Sequence, residues 1–324
     1  MIMNSAVKAY NNKAVPSFTS NKNDDKNKKE LNPTLKYVAA VPVAYVANAA
    51  VNKATSSFLN AFIFPNFNKY NNQSIGLADQ EGIELANKFL KKANLENKVE
   101  LVVADSSPQI TSKIKDLIFK DSSDNIIIKL FKAFKSVELN QRIDKFVNVL
   151  SVDLTSQIVQ GDNASFLPSL NKIVVAKKQS MYLFHEIGHS INANSGKFIN
   201  SFIGASRMFP AFIPVILACT AFKSNKIEKT DKNNNPINKV VKFIGNNAPV
   251  LGALSFLPML AEEGLASIHG LKFLKDKLPT SVFNKILKSN ALAFSTYLVT
   301  GLGAIGGLKL AQVCKDTIDK PKQC

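Results

Sequence analysis

The chain has 324 residues, 46% of them hydrophobic, and 41 Lys and Arg against 24 Asp and Glu give it a formal net charge of +17. The lysines are scattered among asparagines instead of clustering with arginine and aromatic side chains, which argues against a nucleic-acid partner and for solvated faces drawn to anionic lipid. Cys219, Cys314 and Cys324 make no CxxC or CxxH spacing, so neither a zinc ribbon nor a disulfide framework is expected.

Residues 1–36 lack the continuous apolar core of a secretory signal and read as a disordered tail rich in Lys and Asn. Residues 37–70 are apolar but interrupted by Pro42, Asn48 and Lys53, which suits a helical segment at an interface or in a membrane. In "GLADQEGIELANKFLKKANL" the residues Ile83, Ala86, Phe89 and Leu90 share one helical stripe, and "KVELVVAD" follows as a buried strand. "DNIIIKLFKAF" and "VELNQRIDKFVNVL" look helical or mixed. "DLTSQIVQ" and "NKIVVAKK" look like short strands, bounded by Gly161, Asp162, Asn163 and Pro168.

Three uncharged or nearly uncharged runs come next, near 198–222, 243–261 and 289–308. The last two reach the roughly 20 residues that a helix needs to cross a bilayer. The first two flank a polar loop, 223–242, and suggest a hydrophobic hairpin. "TGLGAIGG" in the third run offers small residues to an approaching helix. Lysines occur on both sides of these runs, so positive charge does not choose an orientation.

Two of the three histidines lie in "QSMYLFHEIGHSINANSG". Ser180 can open a helix there and Gly196 can close it. His185 and His189, four apart, then project from one face as a zinc ion needs from two ligands, and Glu186 can take a proton from a water beside the metal. Gly188 leaves room next to the site. No third histidine follows at metzincin spacing. The remaining ligand is sought beyond the second apolar run, in "LPMLAEEGLASIHGLKFL", where helical geometry leaves Glu262 and Glu263 both open. The residues place them at a helix start, where a carboxylate is also favoured by the helix dipole.

The order of these elements resembles the membrane-associated gluzincin metallopeptidases of the M48 type. The resemblance covers roughly residues 160–311: "DNASFLP", an edge strand "NKIVVAKK", the HExxH helix, a hydrophobic hairpin, then Glu263-Gly-Leu-Ala266-Ser267 in place of E-x-x-A-D. It implies Zn²⁺ held by His185, His189 and Glu263, with Glu186 as general base. It also implies an α+β, mostly helical zincin-like domain over 71–311, with a small mixed sheet, a hydrophobic helical hairpin and further apolar helices; residues 312–324 read as a polar tail. An extended protein or peptide substrate, membrane proteins included, would add to the edge of "NKIVVAKK", and His269 or Tyr182 would be candidates to stabilise an oxyanion. The expectation is therefore a membrane-associated zinc endopeptidase. Ser267, where that family has Asp, motivates the alternative of a catalytically silent membrane adaptor that keeps the fold.

Overall fold

The computed structural model describes residues 33–63, 65, 79–105, 107–124, 128–129, 132–133, 137–161, 163–176, 180–196, 199–203, 209–222 and 236–319. Most of the tail expected over 1–36, much of "DNIIIKLFKAF" and residues 223–235 of the expected polar loop lie outside them, and the rest of that loop is helical.

The described chain is mostly helical, with one small mixed sheet. Its helices are α1 (Pro33–Phe58), α2 (Asp79–Lys92), α3 (Pro108–Ser123), α4 (Val137–Gln160), α5 (Ser180–Asn194), α6 (Ile213–Phe222), α7 (Pro236–Asn246), α8 (Ala248–Leu274) and α9 (Thr280–Asp319). The strands are β1 (Glu100–Ala104), β2 (Ala164–Leu167) and β3 (Lys172–Ala176), in the order β1-β3-β2, with β1 parallel and β2 antiparallel to β3. "NKIVVAKK" is therefore the central strand and not the edge expected from sequence. Both sides of β3 are already paired, so the edge nearest the HExxH segment belongs to β2.

Alternation along β3 sorts the core into two layers. Ile173 and Val175 face a cluster built from Ala86, Phe89, Leu90, Leu183, Phe184 and Ile187 of α2 and α5. Val174 and Ala176 face Ile114, Ile118 and Ile158 of α3 and α4. The stripe expected on α2 is thus the one that is buried. "DLTSQIVQ" is not a strand: it completes α4, whose buried Val147, Ser151, Thr155 and Ile158 recur at helical spacing. Ser151 and Thr155 donate their hydroxyls to the carbonyls four residues back, which satisfies them inside the helix without a strand partner.

A third core lies apart from the sheet, where Ala44 of α1, Ile216, Leu217 and Ala221 of α6, Ala248 of α8, and Leu308 and Ala311 of α9 pack together. Helices α8 and α9 join this apolar bundle to the sheet half. Phe273 and Leu274 of α8, with Val282 and Ile286 of α9, belong to the sheet-side core.

Two helices, Ala248–Leu274 and Thr280–Thr317, are long and apolar enough to cross a membrane. They differ from the hairpin read from sequence. Among the described residues, the run near 198–222 yields a helical turn over 199–203 and a helix of 10 residues after a 3₁₀ turn over Phe209–Phe212, with Pro210 and Pro214 at the break. The run near 243–261 is divided at Asn247, between α7 and α8. The run near 289–308 lies inside α9, which continues through the expected polar tail as far as Asp319 and buries Gln312 and Lys315.

The small residues of "TGLGAIGG" meet α1. A Cβ on Gly303 would lie 2.9 Å from Thr55 Cγ2, and one on Gly307 would lie 3.4 Å from Asn48 Cα. Asn48 and Thr55 of α1 are turned to this seam, so one of the interruptions in the N-terminal apolar stretch, Asn48, serves helix packing, while Pro42 and Lys53 are exposed.

Candidate metal centre

Helix α5 has one face anchored and the other free for chemistry. Leu183, Phe184 and Ile187 are fully buried against the sheet and α2. His185, Glu186 and His189 leave from the remaining face, toward α8 and β2. Two glycines let α5 and α8 touch backbone to backbone. A Cβ on Gly188 would stand 2.6 Å from the Ala266 carbonyl carbon, and one on Gly270 would stand 2.7 Å from the Phe184 carbonyl oxygen. Asn192, itself buried, bonds through Nδ2 to the Glu262 carbonyl at 3.4 Å and fastens the crossing.

That crossing brings together residues more than 70 positions apart. His185 Nε2 and His189 Nε2 face each other at 3.0 Å. Glu263 Oε2 lies 3.2 Å from the first and 3.6 Å from the second, and it is buried without a hydrogen-bond partner. Behind the imidazoles, His189 Nδ1 is paired with Glu262 Oε1, and His185 Nδ1 lies 3.0 Å from Ser267 Oγ. When both rings are neutral, a proton on each Nδ1 leaves a lone pair on each Nε2, and two ring nitrogens and a carboxylate oxygen then converge on one point. His185, Glu186 and His189 form one group that could hold a metal ion, and the buried His189, Glu262 and Glu263 form another.

Glu262 and Glu263 are therefore not alternatives for one role. Their side chains leave α8 about 100° apart, so Glu263 reaches the front of the histidine pair while Glu262 supports His189 from behind. Neither sits at a helix N-terminus, because both lie well inside the 27 residues of α8. The dipole explanation offered by the sequence does not apply.

Glu186 accepts the Phe166 backbone N–H from β2 at 2.5 Å. Burial pushes its carboxyl pKa up, and the neighbouring His189 and His185 oppose that shift only in part. For His189 burial works against the charged form, but the Glu262 and Glu263 carboxylates outweigh it and hold the pKa at about 10.

Three participants had no signal that singled them out in the sequence. Ser267 stood out only as a departure from a motif, and Asn192 and Tyr297 lay unmarked, the latter in an apolar run of α9. In the structure Glu263, Glu186 and Glu262 are the charged groups that act on the Tyr297 phenol. The two residues considered for an oxyanion are placed otherwise: Tyr182 packs against the sheet-side core, and His269 is half-buried on α8 two turns beyond Glu262.

Comparison of the chain with protein-family models, with curated proteins and with solved structures finds no match.

Proposed function

We propose that this protein is a membrane-associated zinc endopeptidase of the gluzincin, M48-like kind, with a zincin-like catalytic half. The observation that carries the reading is the convergence of His185 Nε2, His189 Nε2 and Glu263 Oε2, with the Glu186 carboxylate beside it on the same helix. Zinc ligands at about 2.0–2.1 Å in a tetrahedron stand about 3.3–3.4 Å apart. The three separations, 3.0, 3.2 and 3.6 Å, bracket that value. In the metal-free protein a protonated His189 compensates the buried Glu263 carboxylate, and a metal cation would take the place of that proton.

When bound, zinc supplies the Lewis acidity that makes a water nucleophilic at neutral pH. The protein does the rest of the chemistry. Glu186, with its raised pKa, takes the proton from the attacking water and returns it to the leaving amine. The Phe166 N–H holds the base at the edge of β2 until then. An extended peptide pairing along β2, and not β3, passes its carbonyl groups by the base. Ser267 does not speak for a silent protein, because its hydroxyl sits where it can orient His185.

The membrane part of the reading rests on α8 and α9. Val250, Leu254 and Leu257 recur at helical spacing on one side of α8 and are each more than half exposed, as suits a face turned to lipid. Purification in detergent followed by metal analysis tests the proposal. One zinc per chain, with peptidase activity lost to 1,10-phenanthroline and restored by zinc, is expected. Full activity after complete metal removal would refute it, and extraction of the protein from membranes by alkaline carbonate would refute the bilayer assignment.

A further inference from the structure

Metal ligands are held in place by a second set of contacts that fix ring tautomers and carboxylate orientation. Two of the three proposed ligands have theirs on α8, Glu262 behind His189 and Ser267 behind His185. Glu263 has no such support from α5 or α8 in the contacts described above, although its carboxylate can rotate and only one oxygen faces the histidines.

We propose that Tyr297 of α9 is the positioning residue for Glu263, its phenol donating to the carboxylate and so choosing the oxygen presented to the Nε2 pair. The assignment rests on the metal-centre reading of the site. Helix packing places the tyrosine independently of any electrostatic argument. Phe294 Cε2 would lie 3.7 Å from a Cβ on Gly264, and one on Gly301 would lie 3.3 Å from Phe256. Tyr297 comes three residues after Phe294 and four before Gly301, on the same stripe of α9. It therefore faces the stretch of α8 between Phe256 and Gly264, which contains Glu263. Glu263, Glu186 and Glu262 are the acidic groups that act on the phenol. Surrounded by acceptors, it can serve only as a donor.

The test compares wild type, Tyr297→Phe, Glu263→Gln and the double variant by zinc affinity in chelator competition and by the visible spectrum of the Co²⁺-loaded protein. Tyr297→Phe is expected to weaken zinc binding about 10- to 100-fold and to alter the Co²⁺ bands. In the Glu263→Gln background the same change should have little further effect, because the two act as one unit. Melting of the metal-free proteins checks folding, and the double-variant comparison still separates a general packing loss, which would be additive, from positioning. If wild type binds zinc and Tyr297→Phe binds it equally with unchanged Co²⁺ bands, or if the two substitutions are additive, the role of Tyr297 is overturned alone. If wild type binds neither metal, the metal-centre reading falls with it.

Discussion

Gly188 of α5 lies directly against the backbone of Ala266 of α8, with no space for a side chain between them. This contact sets the distance between the histidine pair and the glutamates, since Glu263 and Ser267 flank Ala266 on the facing helix. Gly188→Ala should separate the helices, cost about 1–3 kcal/mol or more of stability and abolish zinc binding. Gly264→Ala is the contrast, because its Cβ would meet only Phe294 at an ordinary 3.7 Å. That variant should fold with equal or higher stability, since alanine favours a helix interior by about 1 kcal/mol. Thermal melts with zinc titration check both, and a tolerated Gly188→Ala would contradict the close crossing.

Glu263→Gln and Glu262→Gln should differ in degree. The first removes the carboxylate that faces both Nε2 atoms and should leave zinc substoichiometric after dialysis. The second keeps all three ligands but loosens His189, so zinc should remain at micromolar metal with affinity lowered about 10- to 100-fold. The reverse ranking in metal content would exchange their roles.

Ser267→Ala leaves His185 Nδ1 without its 3.0 Å partner and should also weaken zinc binding about 10- to 100-fold. Ser267→Asp restores an acceptor and should retain the metal. Chelator competition on the three proteins decides it. Unchanged affinity in Ser267→Ala would mean that His185 is oriented by packing alone.

In the metal-free protein His189 has a pKa of about 10, above the ordinary 6.5 it regains on unfolding. The fold therefore binds this proton more tightly than the unfolded chain. The associated stabilisation is complete below about pH 6.5 and is lost as pH rises through about 10. Melting temperatures of chelator-treated protein should fall between pH 7 and 10, and His189→Gln should flatten that part of the profile. Zinc needs the neutral ring, so its affinity should rise over the same interval. A metal-free wild type whose melting temperature increases toward pH 10 would contradict the assignment.

The sequence made the local parts of the site legible because each is carried by a short-range period. HExxH sets two imidazoles and a carboxylate on one helix face, and "KIVVA" and "ELVVA" announce buried strands by their β-branched runs. Relations across the chain were not legible. Which strand lies at the edge depends on β1 pairing in parallel with β3, and no residue of β3 encodes that. The helices on either side of the loop after residue 222 are shorter than expected because apolar length alone does not register the breaks at Pro210, Pro214 and Asn247. "DLTSQIVQ" misled because β-branched residues also fit a helix when packing buries them at helical spacing, as it does Ile158, and when a threonine hydroxyl bonds back to a carbonyl, as in Thr155. Glu262 and Glu263 could be sorted only once the crossing angle of α5 and α8 was fixed, and Tyr297 only once α9 had a neighbour.

Hydrolysis of an unfolded protein substrate by the zinc-loaded protein in detergent, wild type beside Glu186→Gln, tests the central claim most directly. The account predicts cleavage by wild type and a loss of at least about 100-fold in Glu186→Gln, with equal zinc content in the two. Equal cleavage rates at equal zinc content, or one bound zinc with no cleavage by wild type, would contradict it.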